Sequence, residues 1–325
     1  MPPEVLMRSD SPAYATLLRE AGLTVADGFS RPIAALPAAL RERQRILVTS
    51  GLAGATAEEM ALLPALGMVA CLGTGFDRVD VAAATARGIV VTHGAGANAT
   101  AVADHAMALL LAALRDLPRV HALTRAGHWR QGVGPRPIPS GKRLGILGMG
   151  AIGERVARRA LGFEMEVLYH ARTPRPHLPF RHLPTPLALA QASDHLVVAL
   201  PGGPATRHLV GAAVLAALGP QGVVVNVGRG SVLDTAALLA ALEAGALLGA
   251  ALDVFEEEPD IPAALRARED VVMTPHMAAW APEARQASVA LLLDAIARFG
   301  RGEPVLNAVP GALAVQPGGA TAASA

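Results

Sequence analysis

With 325 residues the chain exceeds the usual ~100 to 200 residues per domain and predicts two domains, and 52% hydrophobic against 17% charged residues excludes a disordered, highly solvated polymer. A formal net charge of +1, from 28 basic and 27 acidic residues, leaves no footprint for nucleic acid or an anionic membrane surface. The most apolar run, Ala106 to Leu114, ends at Arg115, far short of the ~20 residues of a spanning helix. Glu4 and Asp10, without a long apolar run near them, argue against a secretory signal. One cysteine, Cys71, permits neither an intrachain disulfide nor a thiolate zinc site, so a reducing, cytoplasmic setting is expected. Aromatic residues are 3% of the chain, so the core must be built from Ala, Leu and Val.

In chain order, Val5 to Met7, Arg45 to Thr49, Met68 to Leu72 and Ile89 to Thr92 read as strands, each short, apolar and bounded by Gly, Pro or Ser. Helices fit Ala13 to Ala21, Ala57 to Leu63 and Val79 to Arg87 between them, and the alternation predicts a parallel sheet. A longer helix is predicted from about Thr100 to Arg115, with Asn98 or Thr100 as cap, bridging two domains. Gly132, Gly134, Pro135, Pro137, Pro139 and Gly141 mark an exposed loop. A second βα series follows, with strands at Leu144 to Leu147, Glu166 to Tyr169, His195 to Ala199, Val223 to Val227, Gly249 to Leu252 and Val271 to Met273, the complement of a complete dinucleotide-binding domain. A last helix is expected from about Glu283 to Phe299, and a loose tail from Pro310.

Gly148, Gly150 and Gly153 form GxGxxG between the strand Leu144 to Leu147 and a helix through Glu154 to Ala160. In that setting the glycines permit a tight turn and close backbone approach, and the helix start offers N–H groups to a pyrophosphate; the alternative is an ordinary Gly-rich turn. After the next strand an NAD site needs a carboxylate for the ribose, but the chain reads Tyr169, His170, Ala171, Arg172, Thr173. Arg172 there suits a 2′-phosphate and points to NADP(H), against the alternative of a solvated loop arginine. Further on, Arg229, Asp253, Glu258 and His276 each follow a predicted strand, a gathering of groups that is unfavourable without a ligand or one another. Taken singly, Arg229 also fits a turn, Glu258 the solvated run Glu256 to Glu258, and His276 a half-buried core histidine. The ten histidines show no HExxH or paired-ligand spacing, so no metal is expected.

The motif order is Gly73-Thr74-Gly75-Phe76-Asp77, Ala101-Val102-Ala103-Asp104-His105, Gly145-Ile146-Leu147-Gly148-Met149-Gly150, Val225-Asn226-Val227-Gly228-Arg229-Gly230, Asp253-Val254-Phe255-Glu256-Glu257-Glu258-Pro259 and Thr274-Pro275-His276. From about Cys71 to Asn307 it resembles the D-isomer-specific 2-hydroxyacid dehydrogenases, most of all their glyoxylate/hydroxypyruvate reductase branch; the first 60 residues match only in layout. The resemblance implies an α/β fold in which a Rossmann dinucleotide-binding domain, 98–283, and a smaller flavodoxin-like, parallel-sheet substrate domain, 1–97 with 284–325, flank a cleft. It implies NADPH-dependent reduction of a small 2-keto acid to the D-2-hydroxy acid. In this reading Arg229 clamps the substrate carboxylate, His276 gives the proton, and Glu258 orients His276 and favours its charged form. Backbone N–H groups of Gly73, Thr74 and Gly75 complete the substrate site. Gly148, Gly150, Ala151, Ile152, His170, Arg172, Thr173, Pro201, Thr206, Val227, Gly228 and Asp253 contact the cofactor, NADP(H) before NAD(H), with Asp253 on the nicotinamide carboxamide. Cys71, just before the substrate turn, is expected to be packing and not a nucleophile.

Ala151 and Thr235 depart from the residues common at their places in the family, Arg or Asn and Glu respectively. Glu258, where formate dehydrogenases of the superfamily carry Gln, argues against that activity. Trp280 is expected either to line the pocket or to anchor structure, and Trp129 either to reach a partner subunit's site or to pack. A homodimer is the family's assembly, and neither nucleic acid nor membrane is expected as partner. The competing functions are an NAD-dependent D-lactate or phosphoglycerate type dehydrogenase and, from another class, a nicotinamide-sensing corepressor-like binding protein.

Overall fold

Segments of four or five residues, short for helices, mostly apolar and rich in Val, Leu and Ile, form nearly all the strands of two wholly parallel sheets. The structure is a computed structural model that describes residues 4–8, 12–28, 31–51, 53–130 and 133–316. Two compact units divide the chain, one of residues up to Asn98 together with those from Pro282 onward, the other Ala99–Ala281.

The first unit contains β1 (Glu4–Met7), α1 (Pro12–Glu20), β2 (Thr24–Asp27), α2 (Ala38–Arg41), β3 (Ile46–Thr49), α3 (Ala57–Ala61), β4 (Met68–Cys71), α4 (Val81–Ala86) and β5 (Val90–His93). Its sheet runs β2-β1-β3-β4-β5. Alternate residues feed the two faces: Val5, Met7, Ile46, Val48, Met68 and Ala70 enter one core, Leu6, Leu47, Val69 and Cys71 the other. Side chains start the helices, with Thr56 and Glu59 closing a reciprocal capping box on α3 and Asp80 accepting from Ala83 N–H on α4. Burial, and then the charge of Asp77, push the Cys71 thiol up to about 12, so it is inert packing as expected.

Two expectations about this unit are corrected. Thr24–Asp27 is a strand that the sequence reading passed over, because Thr24 and Asp27 are exposed edge positions and the run looks polar. The segment after Pro310 is held as far as Ala314: Val305 N–H donates to Ala314 O, Ala312 N–H donates to Val309 O, and Leu313 bridges to Val90.

The second unit contains α5 (Ala99–Arg115), α6 (Leu117–Arg125), β6 (Arg143–Leu147), α7 (Ala151–Leu161), β7 (Glu166–His170), β8 (Arg181–His182), α8 (Pro186–Ala192), β9 (His195–Val198), α9 (Ala212–Leu218), β10 (Val223–Asn226), α10 (Thr235–Glu243), β11 (Gly249–Leu252), α11 (Ala263–Arg266) and β12 (Val271–Met273). Its sheet runs β12-β11-β10-β9-β6-β7-β8. The order reverses between β6 and β9, the switch point at which α/β sheets open a crevice. Helices cover both faces, so β9 and β10 are buried throughout, and their apolar residues alternate between two cores, Val197, Val223 and Val225 on one side and Leu196, Val198 and Val224 on the other.

The helix expected to bridge domains lies in this unit from its first residue: Val102, Ala106, Leu109, Leu110 and Ala113 share a core with Val156, Ala157 and Ala160 of α7. Thr100 is inside α5 and is no cap; its hydroxyl accepts from Arg155 Nε at 3.2 Å. In the breaker-rich stretch Gly132 falls outside the described residues, Pro139 is buried, and Arg136 donates to the Ala113 and Leu114 carbonyls at the end of α5. The two-residue β8 was not foreseen; it is too short to carry a period. The final helix, α12 (Pro282–Gly300), belongs to the first unit and sends Leu292, Ala295, Ile296 and Phe299 into its core. Among the described residues no helix is long and apolar enough to cross a membrane.

Candidate active site

Strands of one parallel sheet end at one edge, and the candidate residues of the second unit lie along that carboxyl edge. After β6, Gly148 adopts φ 103°, a conformation natural to glycine, and a Cβ on it would stand 2.8 Å from Ala199 O in the neighbouring loop. Gly153 lies under the turn, where a Cβ would stand 2.0 Å from Gly148 O. Gly150 has open space around the same position and caps α7 with no side chain, so the N–H groups of Ala151 and Ile152 face that space. This is a cradle that a side chain would fill, and it fits the pyrophosphate of a dinucleotide.

Beyond β7, His170 Nδ1 donates to Leu183 O at 2.9 Å, its ring stacks on His182, and the buried Tyr169 hydroxyl accepts from Arg175 N–H at 2.7 Å. The braced loop leaves Arg172 and Thr173 exposed. Beyond β9, Thr206 Oγ1 donates to Pro201 O at 2.9 Å.

Beyond β10 the turn is shaped by Asn226, whose Oδ1 accepts from Gly228 N–H at 3.1 Å and whose Nδ2 donates to Arg229 O at 3.0 Å. Val227 is buried, a Cβ on Gly228 would sit 2.5 Å from Leu200 O, and one on Gly230 would overlap Phe255 at 1.9 Å. The Arg229 turn therefore presses directly on the loop that carries Glu258. Arg229 Nη1 donates to Gly228 O at 2.9 Å.

His276 Nδ1 donates to Glu258 Oε2 at 2.7 Å, and Glu258 Oε1 accepts from Phe255 N–H at 2.9 Å. Burial opposes ionisation of Glu258, but the bonds from His276 and Phe255 and the attraction of Arg229 outweigh it and hold the carboxyl below its usual range. His276 has φ 51°, strained for a residue with a Cβ, and is fixed there by its N–H donating to Asp253 O at 2.8 Å.

Asp253, which the resemblance places on the nicotinamide carboxamide, has partners within the protein. It is 1% exposed, and its carboxylate accepts from Thr274 Oγ1 at 2.6 Å and from the N–H groups of Met277 and Ala278 at 2.9 Å, so it holds the His276 loop. Burial opposes its charge, yet bonds from His105, Thr274, Ala278 and Met277 keep it ionised below the ordinary carboxylate range. Asn226, Thr274 and His105 were not assigned roles from sequence; the Asn-x-Gly turn was a signal for the first, while His105 and Thr274 meet only in the fold. Trp280 is 84% exposed, which excludes the reading as an anchor within this chain, and Trp129 is 70% exposed and does not pack. Among the described residues no group of three His, Cys, Asp or Glu is placed to hold a metal.

In the first unit, Gly73, Thr74 and Gly75 follow β4. Thr74 Oγ1 donates to Asn98 Oδ1 at 2.8 Å, His93 Nδ1 donates to Thr74 O at 2.8 Å, and Gly51 fits against Gly75 with no room for a Cβ. Gly73 has open space at its Cβ position.

A Rossmann sheet with a glycine cradle at its switch point and a Glu–His pair on the same edge defines a dinucleotide-dependent oxidoreductase. Residues 107–278 match the family model described as D-isomer specific 2-hydroxyacid dehydrogenase, NAD binding domain, and the chain belongs to that family. It is 39% identical over 270 residues to a glyoxylate/hydroxypyruvate reductase A of Arabidopsis thaliana, covering 83% of this chain and 86% of that one. It is 38% identical over 269 residues to a hydroxyphenylpyruvate reductase of Plectranthus scutellarioides, covering 82% and 86%. The crystal structure of an NADPH-dependent glyoxylate/hydroxypyruvate reductase of Sinorhizobium meliloti, in complex with NADP and malonate, superposes with a TM-score of 0.87 at 37% identity, covering 95% of this chain and 97% of that one.

Proposed function

We propose that the protein uses NADPH to reduce a small 2-keto acid of the glyoxylate or hydroxypyruvate type to the D-2-hydroxy acid. The observation that carries this reading is the 2.7 Å bond between His276 Nδ1 and Glu258. With Nδ1 committed to a carboxylate, Nε2–H of the imidazolium is the proton available to a carbonyl oxygen. Glu258 keeps the ring oriented through its bond to Nδ1. Arg229 holds the substrate carboxylate and draws charge toward the carbonyl oxygen, a planar task suited to a guanidinium. The bound nicotinamide supplies the hydride. Gly148, Gly150 and the first N–H groups of α7, at Ala151 and Ile152, hold its pyrophosphate, and Val227, Gly228, Pro201 and Thr206 border the same crevice.

Preference for NADPH rests on Arg172, exposed at the end of β7 in a stretch without a carboxylate between Glu166 and Asp194. The named activity of the S. meliloti relative supports the same choice. The proposed setting is the reducing cytoplasm, which suits a single buried cysteine, and the proposed assembly is a homodimer, for which light scattering is the check.

The test is a steady-state panel of glyoxylate, hydroxypyruvate, pyruvate, phenylpyruvate and 2-ketogluconate, each with NADPH and with NADH. Turnover of glyoxylate or hydroxypyruvate with a clear NADPH preference is expected. A clear NADH preference would overturn the assignment of Arg172, and no turnover of any 2-keto acid would overturn the activity.

A further inference from the structure

We propose that His208 and Glu256 are positioning residues for this reaction, a clasp that fixes the Glu258 loop against the loops following β9 and β10; the inference rests on the functional reading above. Glu256 lies two residues before Glu258 in a run that, taken singly, also fits a solvated stretch. Its Oε1 accepts from His208 Nε2 at 2.5 Å and from Arg207 Nη2 at 3.1 Å, and its Oε2 faces the Thr235 N–H, at the start of α10, at 3.4 Å. His208 belongs to the loop after β9, its Nδ1 is 3.8 Å from Asp234 Oδ2, and its own N–H donates to Ser231 O at 2.8 Å in the segment that follows Arg229. One carboxylate thus joins the loops that carry Thr206, Arg229 and Glu258.

Backbone geometry points the same way. His208 has φ 52°, in the left-handed region that is unfavourable for a residue with a Cβ. Residues held in this region persist where surrounding structure over-determines them, and here that structure is the bond to Ser231 and the ring's placement on Glu256. The Phe255–Glu256 backbone is also pinned from below by its close approach to Gly230. Loss of the clasp therefore frees the side of the loop that holds Glu258 while the fold stays assembled. The bond from His276 to Glu258 is the quantity at stake, because a misplacement of ~1 Å in a catalytic group can lower turnover by up to about a hundredfold.

The experiment compares wild type, His208→Ala, Glu256→Ala and His208→Gln, the last retaining an N–H donor for Glu256. With a 2-keto acid and NADPH, both alanine variants are expected to lower kcat about tenfold with KM for NADPH within about twofold, and His208→Gln to recover most of the loss. In parallel, the Nδ1–H resonance of His276 is followed by NMR in the protein without substrate. It is expected to shift or broaden in both alanine variants and return in His208→Gln. Unchanged kcat and an unchanged His276 resonance in the alanine variants overturn the clasp, as does a loss of activity that matches a loss of folded protein by circular dichroism and is not restored by His208→Gln. If wild type reduces no 2-keto acid, the functional reading fails by itself, and the His276 resonance still decides whether the clasp positions that ring.

Discussion

Two histidines sit at opposite edges of the seven-stranded sheet. His276, past the end of β12, has a carboxylate partner, a strained backbone and loops from three strands around it. His195, the first residue of β9, is 2% exposed, and neither ring nitrogen has a hydrogen-bond partner. Burial, far more than the opposing charge of Asp194, depresses its pKa to about 4. The difference teaches that burying an imidazole does not make it chemical. At the carboxyl edge the loops bring the ring a hydrogen-bond partner; at the amino edge the strand simply carries the ring into the core, where a charge is excluded.

The strongest way to break this contrast is His276→Ala, expected to lower kcat by two to four orders of magnitude, on the order of 3 to 5 kcal/mol of transition-state stabilisation, while the Kd for NADPH stays within about threefold. Near-normal turnover would mean that the paired histidine is no more chemical than the buried one. The amino edge is tested by acid. A base whose folded pKa lies below its unfolded value binds its proton preferentially in the unfolded chain, so stability falls as pH drops below about 6.5 and levels off below about 4. The loss is roughly 3 kcal/mol, and His195→Leu, which also removes two unpartnered nitrogens, should flatten that part of a Tm-against-pH curve. A variant curve parallel to wild type would show that His195 is not the source.

Smaller effects sharpen the carboxyl edge. Gly153→Ala adds a good helix former inside α7, worth up to ~1 kcal/mol, but sets its Cβ against Gly148 O. Overlap should win, with a net destabilisation of about 2 kcal/mol in urea unfolding and weaker NADPH binding; equal or higher stability would show that the turn yields easily. Glu258→Gln keeps an acceptor for Phe255 and His276 but removes the charge, and a drop of about tenfold in kcat is expected, since charged partners contribute ~1 to 2 kcal/mol more than neutral ones. An unchanged kcat would leave orientation alone as the work of Glu258.

Much of the fold was readable because a parallel sheet covered on both faces needs runs such as Val223 to Val225, which resemble little else. Two edge strands escaped the reading for the converse reason: Thr24–Asp27 is half exposed and Arg181–His182 is too short, whereas the edge strands Val90–His93 and Val271–Met273 kept an apolar signal. At the site, strand ends located Arg229, Glu258 and His276 along one edge, but spacing alone does not reveal that Glu258 bonds His276, or that Asp253 is occupied by Thr274 and the His276 loop. Such pairings depend on how loops from different strands cross, as His105 and Thr274, 169 positions apart, make plain.

The placement of α12 has a consequence for how the protein is made. Residues up to Asn98 are synthesised before Ala99–Ala281, yet their unit lacks Leu292, Ile296, Phe299, Val305 and Val309 of its two cores until α12 and the segment after it have followed. Ala99–Ala281, by contrast, is continuous and holds both of its own cores. Domains fold as units during synthesis, so the order of folding is expected to invert the order of translation, with Ala99–Ala281 maturing before β1, β3, β4 and β5 receive α12, an order that pulse proteolysis of stalled nascent chains would check.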